Sequence, residues 1–110
     1  MTRIIVLLNL KTGKDKAQYE AWARRLDIPT VNALSSIDKF EVFESISMLG
    51  GGASPYEYIE VLDVNDMDAF FEDASSETMK AIAAEFQQWA DPLFIVTRKV
   101  GAAGATSAAS

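Results

Sequence analysis

The chain contains no cysteine and no histidine. Without cysteine there is no disulfide and no thiol catalysis. Without histidine the commonest metal ligand and the commonest general base are missing, and with them every Ser-His or Cys-His nucleophile system. Cationic side chains are scarce: 10 Lys and Arg stand against 16 Asp and Glu, a formal net charge of -6. Lys11, Lys14, Lys16, Arg24 and Arg25 form only a small basic patch, and a phosphate-binding surface needs a larger one. No nucleic-acid role is expected. Long apolar runs are absent too. Ile4 to Leu8 is far shorter than the roughly 20 residues of a membrane helix, so no membrane partner is expected. The N-terminus lacks a basic region followed by a cleavable apolar segment, and the expectation is a cytoplasmic protein. No Asp/Gly loop with calcium-site spacing is visible, and neither a metal nor another cofactor is expected. Gly50-Gly51-Gly52 lacks a following helix and a phosphate-loop lysine, which excludes a nucleotide site. It reads as a mobile loop or a pocket lid.

What is present suits one globular domain. The 110 residues are 49% hydrophobic and 24% charged, enough for a core. Arg3 to Leu10 is a nearly continuous apolar run, the pattern of a strand buried on both faces. Asp15 is placed to cap a helix over residues 16–26, with Gln18 completing a capping box. Pro29 disfavours helix at Ile28, so that helix is predicted to end near Asp27. Residues 30–36 read as a turn or one short helix. Residues 39–48 alternate and read as a strand, with Phe40, Val42, Ile46 and Met48 on one face and Glu44 interrupting it. Residues 56–64 read as a third strand, rich in aromatic and β-branched residues. Asn65 or Asp66 caps a short helix, and Ser75 or Ser76 caps a longer one over residues 77–90. Residues 93–99 form the last strand. Residues 1–100 are read as one domain. The tail, 101–110, holds only Gly, Ala, Thr and Ser, and is read as disordered.

This order predicts an α+β fold, a ferredoxin-like split βαβ arrangement with a four-stranded antiparallel sheet and helices on one face. Several strands are apolar on both faces, so the uncovered face would expose too large a patch for a stable monomer. A homodimer packing sheet to sheet into a barrel is the simplest solution. The pocket would lie between sheet and helices, or inside each half.

The words of the sequence also resemble a known family. Ile5-Val6-Leu7-Leu8-Asn9-Leu10, Tyr19-Glu20-Ala21-Trp22-Ala23, Asp27-Ile28-Pro29-Thr30-Val31 and Leu34-Ser35-Ser36-Ile37 come first. Tyr56-Glu57-Tyr58-Ile59-Glu60-Val61 and Ala83-Ala84-Glu85-Phe86 follow, then Ala90-Asp91-Pro92 and Phe94-Ile95-Val96. Together they resemble the RedY-like proteins, which include the HapK type found in prodiginine-pigment gene clusters. The resemblance implies a dimeric α+β barrel. It also implies a role in specialised metabolism of indole- or pyrrole-derived compounds, with a small aromatic ligand. The expected activity is that of a cofactor-independent enzyme steering cyclisation, condensation or rearrangement of a reactive aromatic heterocycle. The rivals are a non-catalytic protein that shields such an intermediate, and a cofactor-free oxygenase.

One carboxyl stands out. Side chains alternate along a strand, so Glu60 shares a face with Tyr56, Tyr58, Leu62 and Val64. A carboxylate there is costly unless paired, hydrogen-bonded or protonated. Glu60 is therefore either a pocket acid/base or the partner of Arg3, Arg98 or Lys99. Glu44 is a weaker candidate of the same type. Tyr19 and Trp22 either belong to the core or wall an aromatic slot. Asn9, inside an apolar run, needs partners: it either orients a substrate or ties down residues 29–36. Tyr58 is read as orienting substrate or stabilising charge. Ser35 and Ser36 either hold a turn or, at Ser35, hydrogen-bond substrate. Arg24 is either a solvated helix-end charge or a bidentate partner for a substrate carboxylate.

Overall fold

The computed structural model describes residues 1–101; the tail expected to be disordered lies, beyond Gly101, outside the described residues. Four strands form one antiparallel sheet: β1 (Thr2–Leu8), β2 (Ile37–Glu44), β3 (Tyr58–Val64) and β4 (Leu93–Thr97), in the order β2-β3-β1-β4. The central strands are β1 and β3. Their register pairs Arg3 with Asp63, Ile4 with Leu62 and Val6 with Glu60. The helices are α1 (Lys16–Trp22), α2 (Ile28–Asn32), α3 (Met67–Ala74) and α4 (Glu77–Trp89), with a π turn at Ala23–Asp27 joining the first two. The α+β, ferredoxin-like arrangement expected from the element order is the one observed.

The core fills the space between helices and sheet. Ile4, Val6 and Leu8 of β1 meet Tyr19, Trp22 and Val31 there, together with Phe86 of α4. The Trp22 and Phe86 rings lie nearly parallel, 6.3 Å apart with 6° between their planes. The other face of the sheet carries no helix. Ile5, Leu7, Ile59 and Val61 are half-buried on it, and Phe43, Leu93 and Ile95 are exposed. Among the described residues no helix is long and apolar enough to cross a membrane.

Several boundaries differ from expectation. Helix does not stop before Pro29. The Ile28 N–H bonds the carbonyl of Ala23, five residues back. That wider turn precedes the proline, and Ile28 keeps right-handed helical angles. Proline lacks an N–H and its ring collides with the carbonyl four residues back in a regular helix. A π turn at that point re-registers the ladder, and the helix runs on to Asn32. Asp15 stands at the start of α1 with extended dihedrals, but its side chain caps nothing. Asp66 and Ser76 do cap, accepting from the N–H groups of Ala69 at 3.1 Å and Met79 at 3.2 Å.

The second strand ends at Glu44, not Met48. A reversal at residues 48–52, closed by Met48 N–H to Gly52 O at 2.9 Å, takes the chain off the sheet. Gly51 and Gly52 both have positive φ there, which glycine adopts without steric cost. Ile46 is left exposed. The third strand starts two residues late because the Tyr56 N–H is taken by the Ser54 hydroxyl at 3.2 Å. The fourth ends at Thr97 rather than Lys99.

Candidate functional site

The pleat of β3 sends Tyr58, Glu60 and Leu62 toward the helices and Asp63 to the open face. Glu60 is 3% exposed. It lines a cavity of about 200 Å³ between the sheet and the helices. Phe40, Leu62, Phe86 and Phe94 form part of the wall, and Asp27 is the other carboxyl in it. Every remaining lining side chain is apolar.

No cation answers Glu60 among the described residues. Arg3 is instead claimed by Asp63, with Nε to Oδ1 at 2.7 Å and Nη2 to Oδ2 at 3.2 Å. The ion-pair alternative for Glu60 through Arg3 is therefore a pair with the wrong carboxylate. Their position explains this: Arg3 and Asp63 face each other in register, on the face opposite Glu60. Glu60 Oε2 accepts a hydrogen bond from the Tyr19 hydroxyl at 3.1 Å. Burial pushes the Glu60 carboxyl up to about 8, and the nearby Asp27 charge adds to this; the Tyr19 hydroxyl opposes it. Burial pushes Asp27 up to about 7. Tyr19 is driven well above the ordinary phenol range by burial and by Glu60, and so stays protonated. Both carboxyls lining this cavity therefore hold their protons to a higher pH than solvated carboxyls do.

Asp27 is a cavity-lining carboxyl that the sequence pattern does not single out as a site residue. It was read only as a helix end. Tyr19, Ala23, Asp27 and Val31 recur every four residues and all are buried. In a regular α-helix each four-residue step overshoots a full turn by about 40°, and three steps would carry Val31 far from the face of Tyr19. The π turn takes up part of that drift. The four-residue spacing is legible in the sequence, but Pro29 masks it by arguing for a helix stop.

The remaining candidates divide. Tyr58 is buried, packs its ring 4.9 Å from that of Tyr19, and donates to Glu20 Oε2 at 2.6 Å. Burial and Glu20 raise its pKa above the ordinary range. Tyr58, Tyr19 and Arg24 line a second hollow of about 160 Å³ with Glu20 and Glu44. Its charges answer one another: Arg24 with Glu20 at 3.2 Å, Lys16 with Glu44 at 2.9 Å. Tyr19 thus stands between the two spaces, its ring on one and its hydroxyl on the carboxyl of the other. Trp22 stacks behind the cavity wall on Phe86 and donates Nε1–H to Glu85 at 3.0 Å.

Asn9, Ser35 and Arg24 are not brought to the Glu60 cavity. Asn9 is exposed. Its amide donates to Pro55 O and accepts from Glu57 N–H, each at 2.9 Å. It ties down residues 55–57, not 29–36, because its strand runs beside that segment. Ser35 is exposed, and its carbonyl accepts from Asn65 at 2.9 Å. Ser36 is the buried one, and its hydroxyl bonds Asp73 at 2.6 Å. The Gly50–Gly52 loop lines neither space, so it is not a lid over Glu60. Glu44 lines the second hollow, paired. Among the described residues, no three carboxyls converge into a metal-binding group.

Comparisons with known proteins fit this architecture. HapK from Hahella chejuensis superimposes with a TM-score of 0.77 at 24% identity, over 97% of this chain and all of that one. SnoaB, a cofactor-independent oxygenase from Streptomyces nogalater, gives a TM-score of 0.74 at 9% identity, over 94% of this chain and 97% of that one. A dimeric ferredoxin-like protein of unknown function from Thermobifida fusca gives 0.67 at 18% identity, over 87% and 88% of the two chains. At these identities the likeness is one of fold. No curated protein matches the sequence. The family profile of the REDY-like protein HapK matches residues 2–100, nearly the whole described chain, and the chain belongs to that family.

Proposed function

We propose that this protein is a cofactor-independent acid/base catalyst of specialised metabolism, acting in the cytoplasm on a reactive aromatic heterocycle of the bis-indole or prodiginine type. The observation that carries the reading is Glu60: a buried carboxyl without a cation, in a cavity walled by aromatic and aliphatic side chains. Burial keeps its proton available near neutral pH. Cyclisation, condensation or rearrangement of such a ring system needs protons moved between atoms and no external electron carrier. Acid/base help of this kind is worth about 10²–10⁴-fold, enough for a substrate that is already reactive. Tyr19 positions Glu60, and the apolar wall excludes water. The protein acts as a homodimer. The exposed Phe43, Leu93 and Ile95 on the helix-free face favour this, as does the dimeric state of the Thermobifida fusca protein.

The test is Glu60→Gln, which keeps the shape and removes the titrating proton. Indole- and pyrrole-type compounds should quench the fluorescence of Trp22 or Trp89 equally in both proteins. Product formation from the pathway intermediate should fall by roughly 10²-fold or more. Full activity in a folded variant would remove Glu60 as catalyst and leave a protein that shields its ligand. The likeness to SnoaB favours one further reading, a cofactor-free oxygenase. Stoichiometric oxygen consumption during turnover would select it.

A further inference from the structure

Two carboxyls facing one apolar space is an arrangement the acid/base reading of Glu60 does not by itself require. Asp27 is 5% exposed and lines the same cavity as Glu60. Burial is the one cause that shifts it, with no charge or hydrogen bond to hold it ionised. The groups around the pair are these. Tyr19 from α1 bonds Glu60. The π turn contributes Asp27 itself, and β3 contributes Glu60. β2, α3, α4 and β4 present only apolar side chains to the cavity. Two carboxylates of the helical layer are engaged elsewhere: Asp73 of α3 with Ser36 and Glu85 of α4 with Trp22. No lysine or arginine lines the space.

We propose that Asp27 is the second proton-holding group of this site, and that Asp27 and Glu60 carry one proton between them. Two ionised carboxylates in one apolar cavity repel each other and forgo their hydration, with no cation in return, so the second ionises only at a pH well above the first. Two protonated carboxyls would supply an acid and no base. One shared proton supplies both. The protonated member gives its proton to one atom of the ligand, and the ionised member takes a proton from another. The pair ends with one proton, its owner exchanged. The ligand's bonds are rearranged with its atom and electron count unchanged, so no oxidant or reductant enters. The π turn is what places Asp27 for this. It keeps residue 27 on the buried face shared by Tyr19 and Ala23, and π turns inside helices are frequent at functional sites.

The inference rests on the acid/base reading, and its test is separable from that reading. Full-length protein carrying ¹³C-labelled Asp and Glu side-chain carboxyls is titrated by NMR from pH 4 to 10. Coupled carboxyls come off in two macroscopic steps that belong to the pair. The Glu60 and Asp27 signals of the unmodified protein should each show both steps. In Asp27→Asn the Glu60 signal should titrate in a single step, with its midpoint lower by about one pH unit or more. Glu60→Gln should do the same to Asp27. A single-step Glu60 titration that Asp27→Asn leaves in place overturns the proposal. If Asp27→Asn fails to fold, the unmodified protein decides alone, since one-step curves at both residues overturn it equally. Indole binding, read by Trp fluorescence, separates the two failures. Coupled titration without indole binding sinks the ligand reading and keeps the pair. Indole binding with uncoupled titration sinks the pair.

Discussion

Three residues along β3, two carboxyls have opposite fates. Asp63 faces the helix-free side of the sheet, meets Arg3 through two contacts, and is held below the ordinary carboxylate range by that guanidinium. Glu60 faces the helices, meets a tyrosine hydroxyl, and is pushed above it by burial. The strand and the residue class are nearly the same, and neither side chain meets much solvent. The difference lies in depth, with Glu60 between sheet and helices and Asp63 on the open face, and in what the neighbouring strand offers: Arg3 opposite Asp63, Val6 opposite Glu60. A compensated carboxylate acts in structure and stays ionised. An uncompensated one keeps a proton that it can give away. On our reading the two sides of the sheet divide the work, with chemistry on the covered side and association on the open one.

The largest effect separating the two sides should come from β2, which carries one phenylalanine on each. Phe40 is 3% exposed and lines the cavity; Phe43 is 48% exposed. Phe40→Ala should cost about 3–5 kcal/mol, the range for truncating a buried aromatic, as read by chemical denaturation. Phe43→Asp should leave the fold intact and disperse the dimer. Light scattering at micromolar concentration should then give one chain mass where the parent gives two. Equal loss of stability from both changes would erase the distinction between a core face and an association face.

Acid behaviour sharpens the comparison further. Arg3 holds the folded-state pKa of Asp63 below its ordinary value, so its contribution is present above that value and is lost as pH falls through the folded one. Glu60 and Asp27 run the other way. Their folded values are raised, so their contribution is full below about 4 and is lost as pH rises to about 7 for Asp27 and about 8 for Glu60. Arg3→Gln should therefore lower Tm modestly at pH 6, by an amount that shrinks as pH falls through the folded pKa of Asp63. More than half of the Arg3 side chain is in solvent, so screening keeps this the smallest of the effects. An Arg3→Gln penalty that acidification leaves unchanged would mean the side chain matters through packing.

Much of this was legible in the chain. Strand alternation alone placed Glu60 on the buried face with Tyr58 and Leu62, and the element order gave the α+β arrangement. Local capping chemistry narrows the caps to Asn65 or Asp66 and to Ser75 or Ser76, and the structure takes the second of each. What was not legible has two physical causes. One is local override: Pro29 argues for a stop, and only a π turn, which composition does not announce, carries the helix past it and brings Asp27 to the cavity. The other is pairing across the chain. Asn9 was rightly seen to need partners, but the segment beside it is 55–57, a fact of β1–β3 register. Arg3 was a plausible partner for Glu60 until that same register gave it to Asp63. Ser35 and Ser36 differ by one residue in a turn, too fine a distinction for pattern to make.

The central claim, that Glu60 is an uncompensated carboxyl rather than a structural anchor, is met most directly by thermal melts of Glu60→Gln and its parent from pH 5 to pH 9. An amide of the same shape carries no charge to desolvate. The account predicts similar Tm values near pH 5, where Glu60 is protonated, and a variant more stable than its parent by pH 9, where the parent must bury a charge. A variant less stable than its parent across the whole range would contradict it, because that loss is the mark of a broken ion pair.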